Sequence, residues 1–202
     1  MLGVNPEAER EENDFYATDP WAIYKSQTFF NEIGLSKDTL IWEPACGLKH
    51  LSDALSNIGY NVITSDLVQR GNMTRHEVKD FLNVNSNMFC PKLDANILTN
   101  PPFKLASQFI EKSMELLNTG YLAVFFLKIQ FLETPKRAKL FKECGLKYVG
   151  VFSERICCAK NGEFDKYFKQ DDTGRYKGGT QLYAWFVFQN GYKGNTELRW
   201  IN

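Results

Sequence analysis

Asp38-Thr39-Leu40-Ile41-Trp42 runs directly into Glu43-Pro44-Ala45-Cys46-Gly47, and the reading of this stretch decides the fold. The first five residues predict a strand. The turn ends on a glycine, residues 51–58 predict a helix, and Gly59 supplies the left-handed residue that commonly stops one. A second strand is expected over 61–65, ending at Asp66. Strand, glycine turn, helix, strand and acid is the plan of a Rossmann-like unit. The turn brings backbone close to a cofactor, and an acid about 20 residues on accepts a ribose hydroxyl. Gly47 and Asp66 have that spacing.

Further along, Ala95-Asn96-Ile97-Leu98-Thr99 predicts a buried strand and residues 104–117 a helix. Between them stands Asn100-Pro101-Pro102-Phe103. A rigid polar tetrapeptide therefore sits at the carboxyl end of a strand, where open α/β sheets bind their ligands. The group that suits it is a planar amine. The Asn100 amide oxygen accepts one N–H, the Pro101 carbonyl accepts the other, and Phe103 stacks on the ring. The nitrogen lone pair is then turned out of conjugation, which is catalysis by positioning without a strong base. The competing reading is a stiffened turn with Asn100 as a helix cap.

The remaining pattern is one alternating α/β unit. A helix is expected over 21–33, closed by Gly34, and a continuous apolar strand over 121–127, as inside a parallel sheet. A short helix over 135–143, a strand over 146–152, and a last strand over 183–188 in an antiparallel edge hairpin complete it. The expected fold class is thus α/β, a mostly parallel sheet with helices on both faces. Residues 1–12 read as a mobile segment and 13–202 as a single domain, with no separate recognition domain.

The 202 residues carry 24 basic and 24 acidic side chains, which argues against an indiscriminate polyanion binder. No window is apolar enough to span a bilayer. An odd count of five cysteines, without His at ligand spacing, fits a reducing cytoplasm and predicts no metal site.

The motifs resemble those of S-adenosylmethionine-dependent DNA adenine-N6 methyltransferases of phage or prophage type. Glu43-Pro44-Ala45-Cys46-Gly47 is similar to their cofactor motif, and Asn100-Pro101-Pro102-Phe103 to their catalytic motif. Asp14-Phe15-Tyr16-Ala17-Thr18-Asp19-Pro20 resembles the Tyr-x-Thr-Pro-type segment that closes over the methionine end, with Asp19 inserted. Asp80-Phe81-Leu82 resembles the segment at the cofactor adenine. The resemblance implies a Rossmann-like methyltransferase that binds S-adenosylmethionine, releases S-adenosylhomocysteine, and methylates adenine flipped out of DNA. It implies cofactor contacts from Tyr16, Thr18, Glu43 through Gly47, Asp66, Asp80, Phe81 and Asn100. It places Asn100, Pro101, Pro102 and Phe103 at the reacting amine, with Tyr16 beside Phe103 on the base. One departure is Lys49, where such enzymes usually carry a second glycine. Alternatives are the same transfer to RNA or protein glutamine, or a methyltransferase-like binding protein without turnover.

Two segments are expected to meet substrate. Residues 67–79 read as a loop lining the base pocket. The long stretch 153–180 reads either as a substrate loop, with Arg155, Lys160, Arg175 and Lys177 on phosphates, or as a solvated insertion. A further basic group, Lys136, Arg137, Lys139 and Lys142, falls on the 135–143 helix and reads either as part of a basic face for phosphates or as a solvated, mixed surface.

Overall fold

The computed structural model describes residues 15–70, 76–85 and 92–202, His76 by its backbone alone. The 1–12 segment, Asp14, Cys90 and residues 71–75 of the expected pocket loop lie outside the described residues.

The chain enters as a short strand β1 (Tyr16–Thr18), followed by helices α1 (Trp21–Lys25) and α2 (Gln27–Glu32). A single helix was expected here. Ser26 divides it, its hydroxyl donating to the Ala22 carbonyl at 2.6 Å and accepting from the Trp185 indole at 2.7 Å. A buried hydroxyl so occupied bends the backbone locally. The strand β2 (Ile41–Glu43), helix α3 (His50–Asn57) and strand β3 (Val62–Asp66) form the predicted unit. The expected loop over 67–79 is interrupted by β4 (His76–Val78), which pairs parallel with β3. Then come β5 (Asn96–Thr99), α4 (Ala106–Leu116), β6 (Leu122–Lys128), α5 (Pro135–Cys144) and β7 (Leu146–Phe152).

The 153–180 segment is more regular than a loop. It holds β8 (Cys158–Lys160), α6 (Phe164–Tyr167), β9 (Lys169–Gln170) and β10 (Tyr176–Lys177). β8 pairs antiparallel with β1, setting Tyr16 opposite Lys160 and Thr18 opposite Cys158. Two strands follow, β11 (Tyr183–Gln189) and β12 (Glu197–Ile201).

Eight strands form the main sheet in the order β12-β7-β11-β6-β5-β2-β3-β4. Strands β6, β5, β2, β3 and β4 are mutually parallel. The antiparallel strand is β11, as expected from the C-terminal sequence, but it is interior, between β6 and β7. The edge belongs to β12, parallel to β7. The sequence of β11 explains its place. Tyr183, Trp185 and Val187 pack into the core on the α1–α3 side, while Ala184, Phe186 and Phe188 pack on the α4–α5 side. A strand apolar on both faces needs cover on both, which an edge position gives less fully. β6 divides the same way, Val124 and Phe126 to one side, Phe125 and Leu127 to the other. The architecture is a mostly parallel α/β sheet with helices on both faces, as the sequence predicts. β2 continues through α3 to β3 on one side, and β5 lies on its other side. Their carboxyl ends flank the point where the strand order reverses, the usual ligand crevice of such sheets.

At the mouth of that crevice, Gly47 and Lys49 both have positive φ, +53° and +66°. Lys49 begins α3 in a left-handed conformation that costs a non-glycine residue about 1–2 kcal/mol. Lys49→Gly is expected to stabilise the fold by about 1 kcal/mol, read as a shifted urea midpoint with unchanged slope.

Candidate active site

Asn100 follows the last residue of β5, and its amide is held from across the fold. Nδ2 donates to the Tyr16 carbonyl at 3.0 Å and to Thr18 Oγ1 at 2.9 Å. Both Nδ2 hydrogens are thus spent on β1, while Oδ1 is buried with no partner among the described residues. Because β1 is paired to β8, the 153–180 segment contributes to the site indirectly, by holding the strand that aims this amide.

Asn100 stands between two spaces. The larger, about 880 Å³, is lined on one flank by Pro44, Ala45, Asp66, Asp80 and Phe81, and on the other by Pro101, Pro102, Phe103, Lys128 and Tyr183. This lies within the usual size range of small-molecule sites. The smaller, about 20 Å³, lies among Thr18, Glu43, Cys46, His50 and Asn100, and has room for one water-sized group. The sequence-predicted residues Tyr16, Thr18, Glu43, Pro44, Ala45, Cys46, Asp66, Asp80, Phe81 and the Asn100–Phe103 tetrapeptide therefore converge on adjoining spaces.

Gly47 completes the turn. Its N–H donates to Asp66 Oδ2 at 2.8 Å, and Val68 N–H donates to Oδ1 at 3.1 Å. A Cβ at Gly47 would run into the Phe15 ring, which lies over the turn with the Arg70 guanidinium 4.9 Å from its centre. Phe15 was not singled out from the sequence, although it precedes Tyr16 in the same segment.

Asp80 braces the short helical turn over 81–83, accepting from Leu82 N–H at 3.0 Å and from Asn83 at 2.7 Å. Phe81 is locked between Trp42 and Phe109, ring centres 5.2 and 4.9 Å away, so it presents a fixed apolar floor. Phe103 faces Tyr16 at 6.4 Å and Tyr183 at 6.3 Å, with Lys128 Nζ 5.1 Å from its ring. Tyr183, Lys104, Lys128, Arg137 and Gln181 also line the large cavity and were not assigned to the site from sequence. Lys128 carried a legible signal, since it ends a continuous apolar strand at the sheet edge where the two motifs lie.

Glu43 is 2% exposed, and burial pushes its carboxyl well above the ordinary range. Ser52 opposes this by hydrogen bonding, while the charges of Asp66 and Asp53 add to it. A carboxyl raised in the native state destabilises the fold as pH climbs above its unfolded value of about 4.5. Glu43→Gln is therefore expected to be nearly neutral to stability at pH 4 and increasingly stabilising towards pH 8, measured by urea denaturation across that range. Cys46 and Cys158 are both pushed up to about 12 by burial and remain neutral thiols.

The four cations expected on phosphates do not line the cavity. Arg175 is not exposed to solvent as a phosphate contact would require. It is 8% exposed, ion-paired to Glu154, and held 5.5 Å from the Trp21 ring centre. It is packed against α1. Lys177 pairs with Asp171 at 3.2 Å, Arg155 donates to the Thr180 carbonyl at 3.0 Å, and Lys160 lies opposite Tyr16 in β8. Asp19, the inserted residue, accepts from Trp21 N–H at 2.9 Å just before α1. Among the described residues no group of His, Cys, Asp and Glu is arranged to hold a metal ion, and no helix is long and apolar enough to cross a membrane.

No protein-family model matches the sequence, and no curated protein matches it. Solved structures do match the fold. The type IIG restriction endonuclease BpuSI superposes with a TM-score of 0.59 at 16% identity, over 94% of this chain and 27% of that one. A class I S-adenosylmethionine-dependent methyltransferase described as putative, from Listeria monocytogenes, gives 0.54 at 14% identity, over 90% and 63%. A similarly described RNA methyltransferase from Pyrococcus horikoshii gives 0.52 at 13% identity, over 83% of each chain. The chain thus spans about a quarter of the restriction enzyme's length. At these identities the likeness defines the class of fold, which is Rossmann-like of the methyltransferase type.

Proposed function

We propose that this chain transfers methyl from S-adenosylmethionine to the N6 amine of adenine in DNA, the base being flipped out of the duplex. The observation that carries this reading is the Asn100 amide, with its nitrogen tied to β1 and its oxygen buried and unpaired between the two spaces.

The residues present suit the cofactor. Asp66 faces the large cavity at ribose distance from the glycine turn in sequence, Asp80 and Phe81 offer an edge and a floor for its adenine, and Glu43 has a buried unpartnered oxygen, Oε2, on the side that would take the cationic methionine end. When bound, the cofactor supplies an electrophilic methyl on a sulfonium. The chain's own work is positioning. Asn100 Oδ1 accepts one N6 hydrogen and the Pro101 carbonyl the other, so the lone pair is exposed. Phe103 and Tyr16 hold the ring. The amine gives up one proton to water as the new N–C bond forms, so no strong base is needed. Base flipping is required because an amine within the stack cannot reach a crevice at the end of a sheet. The restriction enzyme and the RNA methyltransferase among the structural matches lend support to a nucleic-acid substrate.

The test is radiolabelled methyl incorporation into adenine-containing duplex DNA, with the same sequence as RNA and a glutamine peptide as parallel substrates. Product digestion showing N6-methyladenine supports the reading; label on RNA or peptide alone sinks the DNA assignment.

A second reading is favoured by one observation. The Phe15 ring covers Gly47, and the space beyond it is only about 20 Å³. A methyltransferase-like binding protein without turnover would keep that ring in place. Calorimetry separates the two: micromolar S-adenosylmethionine binding requires Phe15 to move aside, and no binding at millimolar cofactor favours the second.

A further inference from the structure

The large cavity is divided in charge by the sheet order. Its acids, Asp66 and Asp80, come from the β3 and β4 side. Arg70 and Lys79 share that side, and both are engaged: Arg70 over Phe15, Lys79 with Glu77 at 2.9 Å. The β5 and β6 side holds three more cations: Lys104 in the turn after β5, Lys128 at the end of β6, and Arg137 on α5. None of the three has a carboxylate partner among the described residues. Arg137 is nonetheless fixed in place. Its guanidinium donates to the Gln130 carbonyl at 3.2 Å and lies 4.4 Å from the Phe131 ring centre. Lys128 is held over Phe103, and Lys104 is the next residue after it.

The contrast with the 153–180 segment is chemical. Of its six cations three are neutralised by its own acids, Lys166 by Glu163, Arg175 by Glu154 and Lys177 by Asp171, and Arg155 is turned to the Thr180 carbonyl. A phosphate at those three positions has to compete with the carboxylate already there. Unpaired cations beside an aromatic platform gain the whole interaction, and a held guanidinium loses little freedom on binding.

From this we infer that the target DNA strand crosses the cavity mouth on the β5–β6 side, with its backbone phosphates on Lys104, Lys128 and Arg137, and that the 153–180 segment is not the phosphate surface. A base stacked on Phe103 carries its own flanking phosphates within reach of the neighbouring Lys104 and Lys128. Arg137, further along, meets the next phosphate of the strand. Such contacts fix register and orientation without reading sequence. The inference rests on the nucleic-acid reading above and deepens it.

The experiment is fluorescence anisotropy of a labelled adenine-containing duplex over a salt series, using the full chain. The triple variant Lys104→Gln, Lys128→Gln, Arg137→Gln is expected to flatten the slope of log K against log salt by roughly 2 to 3, since each phosphate contact contributes about 0.9. The control Arg155→Gln, Lys177→Gln is expected to leave the slope unchanged. Circular dichroism and S-adenosylmethionine calorimetry on both variants establish that fold and cofactor site survive. A control variant that flattens the slope, while the triple variant does not, overturns the inference. Single variants of Lys104 and Arg137, both on the surface rim, repeat the test if the triple variant fails to fold. A wild type with no salt-sensitive DNA binding overturns the nucleic-acid reading itself, a separable failure. Tighter binding of RNA of the same sequence overturns the assignment to DNA.

Discussion

Asn100→Ala is expected to lower methyl transfer by two to three orders of magnitude while leaving S-adenosylmethionine affinity within a few-fold of wild type. The size follows from the role proposed for the side chain. A fixed acceptor aimed at one amine hydrogen is the kind of preorganised polar group whose removal costs about 10²–10³ in rate. In the proposed reading the cofactor's larger contacts lie elsewhere, on the glycine turn, Asp66 and Asp80. The substitution has a structural side, because Nδ2 also ties down Tyr16 and Thr18. Losing two hydrogen bonds of about 1 kcal/mol each will loosen β1. Thr18→Val separates the two effects. It removes one acceptor from Nδ2 and leaves Oδ1 in place, so it is expected to cost much less activity than Asn100→Ala. Equal losses in the two variants would mean that Asn100 serves as a tether for β1, not as the amine acceptor.

The elements were legible wherever apolar periodicity and punctuation agreed. The β2–α3–β3 unit has a glycine turn at one end and an acid at the other, and both appear where the residues put them. Strands β6 and β11 announced themselves by unbroken apolar runs. What those runs did not encode was neighbour order. An apolar run says that both faces are covered, but not which strands lie on either side, and so β11 was expected at an edge and is found inside. The break at Ser26 was invisible for a related reason. It depends on the Trp185 indole, a partner 159 residues away.

Around the cavity, the lining residues that share a motif were singled out in the sequence and those that share only a place were not. Asn100, Asp66 and Glu43 sit in short local patterns. Lys104, Lys128, Arg137 and Tyr183 reach the same cavity from separate elements, and only the sheet topology brings them together. The cations of the 153–180 segment show the converse. Arg175 and Lys177 stand in a polar, glycine-containing stretch that resembles a flexible phosphate-binding loop. Their partners Glu154 and Asp171 stand in the same stretch and neutralise them. Charge counts within a segment do not reveal that pairing; three-dimensional contact does. The segment is linked to the Asn100 amide through β8 and β1.

Asp66→Ala is expected to weaken S-adenosylmethionine binding by about 100-fold or more, measured by calorimetric titration beside the wild type. Two losses combine. The ribose hydroxyls lose a charged acceptor, with hydrogen bonds to a carboxylate contributing about 1.5–3 kcal/mol each. The turn also loses its brace, because the same carboxylate receives Gly47 N–H and Val68 N–H and so holds the backbone open towards the cavity. Asp66→Asn distinguishes the two contributions. Its single amide oxygen can keep one backbone bond but carries no charge and has one acceptor fewer. If bracing dominates, the asparagine variant recovers most of the affinity. If ribose capture dominates, it stays close to the alanine variant. Unchanged binding in both would remove the cofactor from the β2–β3 crevice, and with it the alignment that puts a methyl donor within reach of Asn100.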